Sequence, residues 1–166
     1  SIEEAFYFPK SLQIETIRLC NATCDFCGID DWDKSVPLMS DLLFEKIVHE
    51  LHEYAHWIEF VSIQRCGEPL LDKKISLRIK RLKDVGIKSV TFSTNASMLT
   101  KEKSTEILEA GLDEIILSID YIDKINYEKT RKGLNYETVM QNIENFFEVR
   151  DRIKPETTIR VRGVAL

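Results

Sequence analysis

Short runs rich in β-branched and apolar residues recur along the chain, separated by longer segments whose apolar positions fall three and four apart. Five such runs, residues 14–19, 59–64, 89–94, 114–119 and 158–164, predict β-strands, because each is too short for a typical helix. The clearest helical segment is 136–150, where Val139, Met140, Ile143, Phe146 and Phe147 form an apolar stripe after Asn135 as N-cap. Further helices are expected after Ser40, after Asp72 and after Thr100, with Gly86 and Gly111 closing the latter two. Strand and helix alternate throughout. That alternation gives right-handed βαβ crossovers and a parallel sheet, here an α/β fold read as a partial (β/α) barrel of about five parallel strands with helices outside.

At 166 residues, 43% hydrophobic and 31% charged, the chain has the composition of one globular domain with a sizeable core. Its net charge of −5, without a basic stripe, removes the usual footprint of nucleic-acid or anionic-membrane binding and favours a small-molecule or peptide substrate. No apolar run approaches the roughly 20 residues of a membrane span, and the amino terminus lacks a signal-like core, so a cytoplasmic protein is expected. Because the chain starts at Ser1 and stops at Leu166 directly after the fifth strand, it is expected to be the amino-terminal part of a longer core domain. Val161, Val164 and Leu166 would then lie near an unpaired sheet edge.

Candidate chemistry concentrates at Cys20, Cys24 and Cys27, in CNATCDFC after the first strand. Active sites of parallel barrels lie at that carboxyl edge of the strands. Three thiolates can hold three irons of a four-iron cluster, leaving the fourth iron open to a chelating ligand. A structural zinc site would want a second ligand pair that the sequence does not offer. A redox dithiol would want the CxxC of Cys24 and Cys27 to open a long helix.

The C-x3-C-x2-C pattern with Phe26 before its last cysteine resembles the signature of radical S-adenosylmethionine (radical SAM) enzymes. Three further turns follow three further strands in the family's order: CGEPLLD resembles GGEP, STN resembles STNG and SIDY resembles SIDG. The closest flavour is that of enzymes with a carboxyl-terminal SPASM-type auxiliary cluster domain. Three glycines of the family pattern are replaced here, by Cys66, Ala96 and Tyr121, with loss of backbone freedom at each turn. Cys66 is read as a small buried residue before it is read as a ligand.

The resemblance implies a [4Fe-4S] cluster on Cys20, Cys24 and Cys27, chelated by S-adenosylmethionine, which is cleaved reductively to a 5′-deoxyadenosyl radical that takes hydrogen from a substrate. It also implies an electron donor such as flavodoxin or ferredoxin. The cofactor would meet Phe26 and the Gly67, Glu68, Pro69 turn, with the Glu68 carboxylate receiving its ammonium group. Ser93, Thr94 and Asn95 at one strand end, and Ser118 and Asp120 at the next, offer hydroxyls and a carboxylate, although such residues often only bond their own turns. Arg131 is placed in a charged helical segment, from which it either reaches the cofactor carboxylate or stays solvated. Arg160 and Arg162 are taken to alternate on the last strand, one facing the barrel mouth.

Two other classes compete. His52 to His56 spells HExxH, the helix of zinc peptidases, with Glu53 as its base. The same segment carries the apolar stripe of the first crossover helix, so these residues equally form its wet face. A folded fragment that binds the cofactors without catalysis is the remaining alternative.

Overall fold

The computed structural model describes residues 8–164. In chain order its first half comprises β1 (Ser11–Gln13), β2 (Thr23–Cys24), α1 (Asp41–Tyr54), β3 (Phe60–Ser62), α2 (Ile75–Asp84) and β4 (Val90–Thr94). The second half comprises α3 (Lys101–Glu109), β5 (Glu114–Ser118), α4 (Lys124–Thr130), β6 (Arg131–Lys132), α5 (Tyr136–Ile153) and β7 (Thr158–Arg162). One sheet runs β1-β3-β4-β5-β7, every neighbouring pair parallel, as in a partial β/α barrel. β2 and β6 form a separate antiparallel pair.

The period of two along each strand divides the sheet into two unlike faces. Val61, Ile63, Val90, Phe92, Ile115 and Leu117 point outward and are completely buried under the helices. Burying a side chain of that size contributes about 2 kcal/mol. Helices begin where the sequence provides caps: Ser40, Thr100, Asp123 and Asn135 each accept a backbone N–H of their own first turn. Gly86 and Gly111 follow α2 and α3 with φ of 93° and 100°, the left-handed geometry that ends a helix.

The first strand lies earlier than residues 14–19. β1 ends at Gln13, and the following arm runs antiparallel to residues 37–39 through Arg18 N–H to the Pro37 carbonyl and Met39 N–H to the Thr16 carbonyl. Ile14 and Ile17 are apolar because the arm is buried, which β-propensity cannot tell apart from ladder membership. β7 is an edge strand with Val161 and Val164 exposed, as expected, whereas Ser1 and Leu166 lie outside the described residues. No helix among the described residues is long and apolar enough to cross a membrane.

Candidate active site

All three loop cysteines are free thiols; Cys20 and Cys24 are half-buried and Cys27 is exposed. The loop is anchored from the far end of the chain: Cys24 pairs with Arg131 in the β2–β6 ladder, and Asp25 N–H donates to the Thr130 carbonyl. Arg131 therefore stands on a strand just past α4, not in a solvated helix, and is only 6% exposed. Its Nε donates to Asp120 Oδ2 at 2.6 Å, and its guanidinium lies 5.5 Å from the Phe26 ring centroid. Asp120 Oδ1 accepts Val164 N–H at 2.8 Å, so both carboxylate oxygens are engaged. Burial pushes the Cys24 thiol up to about 11, a rise that the neighbouring Arg131 cation opposes. Cys20 is raised chiefly by burial as well.

The GEP turn is pressed against the same loop from the other side. Glu68 N–H donates to the Leu19 carbonyl at 2.8 Å, immediately before Cys20. The Glu68 side chain is buried and accepts three hydrogen bonds: Leu70 N–H at 3.1 Å and Thr94 Oγ1 at 2.7 Å on Oε1, and Asn95 N–H at 2.9 Å on Oε2. Burial holds its pKa above the usual carboxylate range, against those bonds, which pull it down. This carboxylate staples the end of β4 to the turn after β3. Glu68→Ala would orphan three buried donors and is expected to cost about 3 kcal/mol. A thermal melt should show the midpoint falling by about 6–12 °C.

Asn95 connects the third turn to the cysteine loop. Its Nδ2 donates to Asn21 Oδ1 at 3.0 Å and lies 3.9 Å from Cys20 Sγ, while its Oδ1 accepts Ser97 N–H and Oγ. Ala96, standing where the resemblance expects glycine, adopts φ of 60°. Its N–H donates to Thr94 Oγ1, and Asn142 from α5 donates to its carbonyl, bonds that hold an alanine in a left-handed conformation costing of order 1 kcal/mol. Ser93 and Ser118 hydroxyls meet at 3.0 Å across β4 and β5.

These turns enclose a cleft of about 290 Å³ at the carboxyl edge of the sheet. Cys20, Cys24, Cys27 and Phe26 line one wall, with Gly67, Glu68, Ser93 and Asn95 on another. Ser118, Asp120 and Arg131 complete it, while Pro69 is buried as the start of a 3-10 turn and does not reach the cleft. Gln13, Gln64 and Arg65 also line it and carried no motif by which sequence reasoning could find them. Asn21 and Ser97 were equally unmarked. Cys66 lines the cleft too, its N–H held by Glu15 Oε1 at 2.9 Å. Arg160 and Arg162, two apart on β7, face the same side of the sheet rather than alternating.

The HExxH segment is not one continuous helix. α1 ends at Tyr54, leaving His56 in the following turn, and His52, Glu53 and His56 are all exposed. Among the described residues, no three His, Cys, Asp or Glu side chains converge as ligands of a single metal ion would. Thiolates that each bind a different iron of a cluster stand farther apart than that.

Fold and donor set together define a β/α-barrel protein whose cysteine loop is suited to a metal cluster facing a ligand cleft. A model of the radical SAM superfamily matches residues 14–160. The probable GTP 3′,8-cyclase of Methanococcus maripaludis is 31% identical over 141 residues, covering 84% of this chain and 46% of that protein. The tungsten-containing aldehyde ferredoxin oxidoreductase cofactor-modifying protein of Pyrococcus furiosus is 23% identical over 155 residues, 92% of this chain and 43% of that one. Streptococcus suis SuiB superimposes with a TM-score of 0.73 at 20% identity, covering 94% of this chain and 33% of SuiB. BtrN in complex with AdoMet and 2-DOIA gives 0.67 at 18%, covering 92% and 56%. The chain belongs to the radical SAM superfamily, and it spans about half the length of the curated relatives it matches.

The superfamily uses a [4Fe-4S] cluster and S-adenosylmethionine, and the residues here fit both. Three unpaired thiols project from one loop beside an open cleft. Gly67 forms the cradle: a Cβ there would lie 2.1 Å from the Ile17 carbonyl oxygen, so only glycine lets the GEP turn reach the cysteine arm.

Proposed function

We propose that this chain forms the catalytic core of an enzyme that cleaves S-adenosylmethionine reductively and uses the resulting 5′-deoxyadenosyl radical to take hydrogen from a small-molecule or peptide substrate. The observation that carries the reading is the meeting of three free thiols with the GEP, STN and SID turns around one cleft. When bound, the cluster supplies one electron to the sulfonium, releasing methionine and the radical; hydrogen transfer then gives 5′-deoxyadenosine and a substrate radical.

In this reading Cys20, Cys24 and Cys27 hold the cluster. Glu68 has three of about four lone-pair sites in use, leaving one for the cofactor's ammonium group. Arg131, whose Nε alone is engaged by Asp120, presents its remaining N–H groups to the methionine carboxylate. Ser93, Asn95 and Ser118 orient the cofactor, and Phe26 covers it. Flavodoxin or ferredoxin is the proposed electron donor, and the cytoplasm, which keeps such thiols reduced, the proposed compartment. The flavour of the turns supports kinship with SPASM-type enzymes. A peptide substrate draws support from the solved complex of SuiB with precursor peptide SuiA.

Anaerobic reconstitution with iron and sulfide, followed by dithionite and S-adenosylmethionine, tests the proposal. Thiolate-to-iron absorbance and accumulation of 5′-deoxyadenosine are expected. A chain that takes up no iron, or a loaded chain that leaves the cofactor intact, overturns it.

A further inference from the structure

The turn after β4 closes a ring of hydrogen bonds against the cysteine arm. Asn95 Nδ2 donates to Asn21 Oδ1 at 3.0 Å, Asn21 Nδ2 donates to Ser97 Oγ at 2.8 Å, and Ser97 Oγ donates to Asn95 Oδ1 at 2.6 Å. The Ser97 backbone N–H also meets Asn95 Oδ1, at 2.9 Å. A backbone N–H can only donate, so the atom facing it must be the amide oxygen, and the Asn95 NH2 group must point the other way. The orientation of this amide is fixed by its partners.

An NH2 group carries two hydrogens, of which the ring uses one. The other faces Cys20 Sγ, 3.9 Å away. Asn95 is 5% exposed, a position in which an N–H group needs a partner within the protein. The residue cannot easily turn aside: its own backbone N–H donates to Glu68 Oε2, and Asn142 from α5 donates to the Ala96 and Ser97 carbonyls that follow it. The other two loop sulfurs have different surroundings, because Cys24 lies beside the Arg131 cation and Cys27 is exposed.

We infer that Asn95 donates a hydrogen bond to the Cys20 thiolate once that sulfur is bound to iron, and that this bond makes the cluster easier to reduce. The inference rests on Cys20 being an iron ligand, which belongs to the proposed function. A separation of 3.9 Å is long for a contact to a neutral thiol, and an ionised sulfur attracts a donor more strongly. The donor stabilises negative charge on sulfur. A reduced cluster carries one more negative charge than an oxidised one, so the bond favours the reduced form and raises the potential. Asn95 thus tunes the site through Cys20.

Potentiometric titration of the reconstituted chain without S-adenosylmethionine, read by the electron paramagnetic resonance of the reduced cluster, tests it. Asn95→Leu keeps the side-chain volume and removes the donor. It should shift the balance between reduced and oxidised cluster at a given poise by about tenfold towards the oxidised form, a fall of about 59 mV for one electron. Ser97→Ala opens the same ring but leaves the Ser97 N–H to hold the amide, so the balance should move by less than about twofold. A further measurement needs no variant at Asn95. With heavy nitrogen in the asparagine side-chain amides, the reduced cluster should show a hyperfine coupling to nitrogen, and Asn21→Ala should keep it. An unshifted or raised midpoint in Asn95→Leu, an equal fall in Ser97→Ala, or absence of the coupling would each overturn the inference. A chain that takes up no iron would sink the radical reading and this inference with it; a cluster that forms and cleaves S-adenosylmethionine, with a midpoint indifferent to Asn95, would sink only this one.

Discussion

Alanine at Cys24 is expected to leave a folded chain that assembles no cluster and produces 5′-deoxyadenosine only at the level of an enzyme-free control. Cys24 contributes to the fold through its backbone, by pairing with Arg131, and alanine keeps that backbone. Its half-buried sulfur packs at the margin of the core, so the thermal midpoint should move by the few degrees that about 1 kcal/mol produces in a chain this size. Two thiolates cannot hold three irons, and an alanine side chain offers the third iron no ligand. Cys66→Ala is the internal comparison, because Cys66 belongs to another turn and its N–H is held by Glu15 whatever its side chain. That variant should keep charge-transfer absorbance and product yield. Undiminished 5′-deoxyadenosine from Cys24→Ala, or a collapse in Cys66→Ala without loss of fold, would mean that the cluster ligands have been misassigned.

The elements most legible in the sequence are those whose periodicity coincides with burial. In β4 and β5 the apolar positions, Ile116 apart, are also the outward, helix-covered ones, and α5 follows the predicted cap Asn135. The arm at residues 14–19 misleads for the same reason: Ile14 N–H makes the last bond to β3, and Ile17 beyond it is buried outside the main sheet. α4 escapes a periodicity search because Tyr127 is its single buried residue, and Ile125 lies in solvent. β6 is two residues long and exists only because the cysteine loop offers it an edge. The environment of Arg131 was therefore not readable locally: its partner Asp120 is recognisable as part of SIDY, but the charged sequence around the arginine describes exposed neighbours.

The cofactor turns show a similar division. Strand ends could be read as positions, which is why Ser93, Asn95, Ser118 and Asp120 fall together around one cleft. Their bonding could not be read, because it depends on which strands are neighbours. Glu68 staples two strand ends only because β3 lies beside β4, and Asn95 meets Asn21 only because the GEP turn draws the cysteine arm across the sheet edge. The replaced glycine at Ala96 is similar: loss of backbone freedom was foreseeable, but the bonds from Thr94 and Asn142 that hold the left-handed geometry come from the tertiary fold.

The glycine at position 67 should prove the least replaceable residue outside the cysteines. A Cβ built there lies 2.1 Å from the Ile17 carbonyl oxygen and 3.0 Å from that of Leu19. Both obstacles are backbone, so no side-chain rotation relieves the clash. Relief requires the turn and the arm to separate, which breaks the bond from Glu68 N–H to the Leu19 carbonyl one residue before Cys20. Overpacking of this kind costs about 3 kcal/mol or more. For Gly67→Ala the thermal midpoint should fall by about 6–12 °C. Because the displaced arm carries the first cysteine, iron bound per folded chain should fall as well, a loss that general destabilisation alone would not produce. Gly28→Ala provides the contrast: that glycine adjoins Cys27, yet a Cβ there has nothing within 4 Å. It should change the midpoint by no more than about 2 °C, as a surface substitution does, and leave iron uptake intact. If Gly28→Ala were the more damaging of the two, cluster assembly would depend on freedom within the loop itself, and the close approach of the GEP turn would not be what shapes the site.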